Sequence, residues 1–93
     1  MSEVKDNPGT RRFEMASGDA VAFVEYTRAG DRIVLTHTEV PQALSGRGVG
    51  SKLVRGTLEA VRTEGLKVVP RCEFVAAHVE RHPEYRQVLA DEG

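Results

Sequence analysis

Leu44-Ser45-Gly46-Arg47-Gly48-Val49-Gly50-Ser51-Lys52-Leu53 is the stretch on which the reading of this chain turns. Glycines stand at 46, 48 and 50. Glycine reaches left-handed backbone angles and lets a ligand approach the main chain closely. Just past the turn, Val49, Leu53, Leu58 and Val61 recur near helical spacing, with Val54 widening the stripe. Gly65 stands where the C-cap of such a helix belongs. The first amides of a helix have no internal partner and sit at the positive end of its dipole, so a glycine turn opening a helix forms an anion site. The chemistry this supports is pyrophosphate binding. The plain alternative is a strand-to-helix connector. A Walker loop is excluded, because Gly50 is followed by Ser51-Lys52 rather than Lys-Ser or Lys-Thr. A dinucleotide fold is excluded too, because the strands before the turn read as antiparallel.

Upstream, Ala20–Thr27 alternates, with Val21, Phe23 and Glu25 on one face and Ala22, Val24 and Tyr26 on the other. Arg28-Ala29-Gly30-Asp31 is a hairpin signal, and Arg32–Val40 is rich in β-branched residues. With Arg11–Met15 and the Ser17-Gly18-Asp19 turn before them, these predict three strands in an antiparallel meander. Downstream, Leu66–Pro70 reads as a buried strand, Glu73–Arg81 as a helix, and Pro83 as the start of a last turn. Strand, helix, strand in this order predicts a right-handed crossover between parallel strands. The expected fold is α/β with a mixed sheet: antiparallel meander, crossover helix, parallel strand, C-terminal helix. Residues 1–10 are polar and read as a flexible tail, and residues 11–93 as one domain.

Composition narrows the function. Hydrophobic residues make up 40% and charged residues 29% of the 93, the balance of an ordinary globular chain. A net charge of −1 argues against a general nucleic-acid binder. Yet residues 47–71 hold six cations (Arg47, Lys52, Arg55, Arg62, Lys67, Arg71) against Glu59 and Glu64, a local zone suited to a small polyanion. A single cysteine, Cys72, excludes an internal disulfide, and no apolar run approaches a membrane span. The chain is read as cytoplasmic, with no membrane partner.

Taken together, the meander, the Pro-containing loop and a turn ending Gly48-Val49-Gly50 before a long helix resemble the GNAT superfamily of N-acetyltransferases. That family's motif carries Arg or Gln three positions before the first of these glycines, where this chain has Ser45. The resemblance is closer to a minimal, single-domain GNAT-like group marked by a His-Thr-Glu-Val strand, the glycine turn, Pro-x-Cys and His-Pro-Glu-Tyr. Here these are His37-Thr38-Glu39-Val40, Pro70-Arg71-Cys72 and His82-Pro83-Glu84-Tyr85, in the same order. The resemblance implies acetyl-CoA as cofactor and an amine acceptor, small molecule or protein, that the sequence does not name. It implies that the backbone of the strand ending at Val40 holds the pantetheine arm. It also implies that the turn of Gly46, Arg47, Gly48, Val49, Gly50, Ser51 and Lys52 holds the pyrophosphate. A non-catalytic CoA-binding module and a small interaction protein are the competing readings.

Acetyl transfer to an amine requires deprotonating the amine, polarising the thioester and stabilising the departing thiolate. Four residues are candidates. Cys72 opens a helix, where a thiol pKa falls; the resemblance places it near the thioester, as acetyl acceptor or proton donor, and the alternative is a small buried hydrophobe. His37 and Glu39, two apart on one strand, share a face, and either serves as a general base. Because Ile33 and Leu35 fall on that face too, His37 also reads as a core histidine. Tyr85 is a proton donor to the thiolate or an anchor of the C-terminal turn. His78 and His82, four apart, offer metal ligands with Cys72, but structural zinc sites usually have four ligands, and no metal is expected.

Overall fold

The computed structural model describes residues 4–44 and 48–90. Among them, five strands form one sheet in the order β1-β2-β3-β4-β5: β1 Lys5–Asn7, β2 Arg12–Ser17, β3 Ala20–Ala29, β4 Arg32–Glu39 and β5 Lys67–Pro70. The first three pairings are antiparallel and β4–β5 is parallel, joined by the crossover helix α1, Val49–Thr63. The other helical elements among the described residues are helix α2, Glu73–Arg81, and two 3-10 helices, Gln42–Leu44 and Pro83–Val88. The expected mixed α/β architecture is therefore the one the chain adopts.

Binary patterning explains the layers. Phe13 and Met15 on β2, Ala22, Val24 and Tyr26 on β3, and Ile33 and Leu35 on β4 point one way and are buried. The apolar stripe of α1 (Leu53, Val54, Leu58, Val61) and Val75 and Val79 of α2 close over them in a single cluster. The other sheet face is open: Val21 is 43% exposed, and Phe23 lies under the Arg12 guanidinium at 3.9 Å from the ring centroid.

Helix α1 ends as expected. Gly65 takes a left-handed φ of 74°, and the amides of Gly65 and Leu66 bond back to the carbonyls of Arg62 and Val61. This paired pattern satisfies the last carbonyls, with Leu66 packed on the core beside it.

The polar N-terminal segment departs from the reading as a flexible tail. Residues Lys5–Asn7 pair with Glu14, Phe13 and Arg12 as the edge strand β1. Val4 packs against the core, and polar contacts add to it. The Asp6 carboxylate accepts the Tyr26 O–H and an Arg28 N–H, while Arg28 also reaches Glu64 at 3.3 Å. Such side-chain partners leave no hydrophobic alternation to read. Burial and Asp6 together push the Tyr26 phenol above its ordinary pKa.

Candidate active site

The site forms where β4 and β5 part. Their register runs from Arg32↔Lys67 to Leu35↔Pro70 and stops, although β4 continues to Glu39 paired with β3 alone. At the apex the Leu35 carbonyl accepts from both Arg71 and Cys72, which swings the chain out of the sheet and into α2. Beyond this point β4 pairs only with β3 among the described residues, so β4 and β5 part here.

Cys72 is the N-cap of α2, half-buried at that apex, with Sγ donating to Thr38 Oγ1 at 3.2 Å. Burial pushes its thiol pKa up, but the Thr38 hydroxyl and the amides of Val75 and Phe74 at the helix N-terminus outweigh it. The net position lies below the ordinary thiol value, because these dipoles all favour the thiolate. Thr38→Val removes one donor to that thiolate and keeps the volume. Alkylation by iodoacetamide is expected to begin at lower pH for the native protein than for a free cysteine. In Thr38→Val the midpoint moves up, with a rate at pH 7 that is about tenfold lower, the effect of one hydrogen bond to a charged group.

His37 and Glu39 do share a face, but not the face of Ile33 and Leu35. Glu25 pairs with His37 while the next residue, Tyr26, pairs with Leu35, so Thr36 is an extra residue in a β-bulge. The bulge reverses the alternation. Thr38 falls on the core side against Cys72, and His37 and Glu39 fall on the open side. The reading of His37 as a core histidine is corrected by this: its side chain is 52% exposed, 3.4 Å from Glu39 and tilted against Phe23.

Beside the gap, Val40, Leu44, Gly48, Val49, Gly50, Ser51 and Phe74 line a cleft of about 250 Å³. Gly48, the N-cap of α1, has φ 72° and ψ 13°, and a Cβ placed there would meet nothing within 4 Å. The main chain is thus bare toward solvent at the positive end of a 15-residue helix with no acidic residue in its first turn. At Gly50 a Cβ would come within 2.6 Å of the Phe74 ring, which lies across the turn. The expected contacts of Gly46 and Arg47 lie outside the described residues. Lys52 faces a neighbouring hollow rather than this cleft. Thr38, Leu44 and Phe74 were missed by the sequence reading. Thr38 stood in the quoted strand motif, but only the bulge turns it toward Cys72.

Tyr85 sits elsewhere. It is buried under α1, donating its O–H to Glu59 at 3.0 Å, and burial followed by that carboxylate pushes its pKa up. The geometry is that of an anchor. Tyr85→Phe is expected to lower unfolding stability by about 1 kcal/mol, the worth of one hydrogen bond, while any transfer rate is retained; both are read by thermal melting and turnover. Among the described residues no group of three His, Cys, Asp or Glu gathers as a metal site. Nor is any helix there long and apolar enough to cross a membrane.

The sequence profile of the GCN5-related N-acetyl-transferase family matches residues 12–88, from the start of β2 to the end of the last 3-10 helix. The chain belongs to the GCN5-related N-acetyltransferase family. Similar family relatives include Protein NATD1 of Homo sapiens and of Gallus gallus, each 42% identical over 65 residues. That alignment covers 69% of this chain but 56% and 57% of the two relatives, so the chain spans little more than half their length. The solution structure of a GCN5-like protein from Staphylococcus aureus superposes with a TM-score of 0.72 at 28% identity. The match covers 100% of this chain and 94% of that one, so the family's architecture extends over all five strands and both helices.

Proposed function

We propose that the chain is an acetyl-CoA-dependent N-acetyltransferase. The observation that carries this is the juxtaposition of the parted β4–β5 edge, the Cys72 thiol at its apex and the bare glycine turn opening α1. An apolar-walled cleft with a helix N-terminus at one end suits a long thiol ligand bearing a diphosphate.

When bound, acetyl-CoA supplies an acetyl group activated as a thioester. The amides of Gly48 to Ser51 hold the diphosphate through backbone hydrogen bonds and the helix dipole, the Lys52 amide being bonded to the Gly48 carbonyl. The unpaired edge of β4 up to Val40 holds the pantetheine arm as an added strand would, by main-chain hydrogen bonds. Phe74 and Leu44 exclude water from the arm. Cys72 keeps a readily ionised Sγ beside Thr38, in position to take the acetyl group or to give a proton to a departing thiolate. An amine approaching from the open face meets His37 and Glu39, which take its proton at Nε2 or a carboxylate oxygen.

A module that binds the cofactor without transferring acetyl is favoured by one observation: the His37 and Glu39 side chains are 52% and 59% exposed, so water surrounds the groups that would receive the proton. Titration calorimetry with acetyl-CoA, CoA and ADP tests the shared premise. Micromolar binding of acetyl-CoA is expected, with weaker binding of ADP. No binding at millimolar ligand would sink both readings and leave the glycine turn as a connector.

A further inference from the structure

Phe74 is the second residue of α2 and one of the two large apolar side chains left exposed among the described residues, at 46%. Its ring reaches away from α2 toward the opposite arm of the site. A Cβ on Gly50, in the first turn of α1, would stand 2.6 Å from the ring's Cζ, 3.3 Å from its Cε1 and 3.4 Å from Val40 Cγ2. Phe74 of the β5–α2 arm and Val40 of the β4–α1 arm therefore meet over Gly50. The ring lies across the mouth of the parting between β4 and β5.

Gly50 supports this placement independently. It is not among the glycines with a left-handed φ, so the helix backbone does not require glycine there, and alanine is the better helix former. The space taken by the ring is what excludes a side chain. The ring also has a second place to go. On its other side lies a hollow of about 80 Å³, lined by Ser51, Ala77, His78 and Arg81. Ala77 gives this hollow an apolar wall and Arg81 a cation, both suited to an aromatic ring. Phe74 lines the hollow and the glycine-turn cleft alike, so it is the partition between them. An exposed side chain changes rotamer within nanoseconds, so the ring moves freely between the two.

We propose that Phe74 is a gate on the cleft: its ring, lying across Val40 and Gly50, swings into the neighbouring hollow to admit an elongated thiol ligand and returns to cover it. The inference rests on the acetyl-CoA reading above. By that reading the arm of the ligand lies along β4 up to Val40 and its diphosphate on the first amides of α1. The arm then has to pass between Val40 and Gly50, where the ring stands. A short diphosphate without the arm does not need this passage, so the gate slows entry of the long ligand alone. Association falls in proportion to the fraction of time the ring is open, and a ring that closes over the arm slows its departure as well.

The test is stopped-flow fluorescence of the full chain with etheno-CoA and with etheno-ADP, analogues whose adenine is fluorescent. The proteins are native, Phe74→Ala and Phe74→Tyr. Phe74 lies outside the buried core cluster, so its truncation leaves the fold, which thermal melting verifies. In Phe74→Ala the association rate constant for etheno-CoA is expected to rise about tenfold or more, the reciprocal of an open state populated at about 10% or less. Its dissociation rate rises too, while association of etheno-ADP stays at the native value. Phe74→Tyr keeps a ring of the same shape and is expected to keep the native rates. An unchanged etheno-CoA association rate in Phe74→Ala, with faster dissociation alone, would reduce Phe74 to a ligand contact and overturn the gate, leaving the acetyl-CoA reading standing. Equal acceleration for the two ligands would overturn it as well, because the change would then be a general loosening of α2 against α1. No binding of etheno-CoA at millimolar concentration would overturn the gate together with the reading it rests on.

Discussion

Cys72→Ala is expected to lower acetyl transfer at least about 100-fold while acetyl-CoA still binds with its native affinity, the range lost when a positioned nucleophile or proton donor is removed. Binding survives because the thiol contributes little to holding the ligand, which rests on the α1 amides and the β4 edge. Folding survives because Cys72 is only half-buried and alanine fits the same space, with the Cys72 amide still donating to the Leu35 carbonyl. Turnover with a panel of amines, together with intact-protein mass after mixing with acetyl-CoA, reads the outcome. An acetylated native protein and an unmodified variant assign covalent acceptance to Sγ. Lost turnover without acetylated native protein assigns the proton-donor role. Undiminished turnover in the variant would remove Cys72 from the chemistry. The pH profile adds an independent readout. If the thiolate is the working form, activity rises as pH increases through a pKa set below the ordinary thiol value by the Thr38 hydroxyl and the α2 amides.

Gly48→Glu is expected to weaken acetyl-CoA binding by roughly 100-fold or more, because opposing like charges across a binding site costs several kcal/mol. Two penalties act there. Any side chain must adopt the left-handed φ of 72°, which costs about 1–2 kcal/mol in an L-residue. That strain falls on the fold and is equal for Gly48→Gln. Only the glutamate adds a negative charge at the helix N-terminus, opposite a diphosphate. The space at Gly48 is open, so neither side chain meets a clash. Thermal melting is expected to show the same loss for both variants, and calorimetry a loss of affinity much larger for the glutamate. Equal affinities for the two would mean that the diphosphate is not held at this turn.

Much of this architecture was legible along the chain because its signals are local. Glycine at 48 and 65 marked the two ends of α1, and both take left-handed angles there. The stripe Leu53, Leu58, Val61 followed helical spacing and is buried. Alternation in β2 and β3 marked which side chains form the core, and the order of strand, helix and strand implied the parallel β4–β5 pair. What escaped depends on contacts between distant segments. Strand β1 is held by Asp6 against Tyr26 and Arg28, a polar arrangement with no periodic trace. The bulge at Thr36 inserts one residue between the Glu25 and Tyr26 pairings, and so sends His37 and Glu39 to the open face and Thr38 to Cys72. Such an insertion is decided by how β4 must pair with β3 while leaving β5, and a pattern of period two carries no sign of it. The sequence by itself determined the elements, their order and the glycine turn, since backbone preference and side-chain period act within a few residues. Tertiary structure alone decided which side chains face one another across the gap and that Phe74 lies over Gly50, because those pairings arise only when α2 packs on α1.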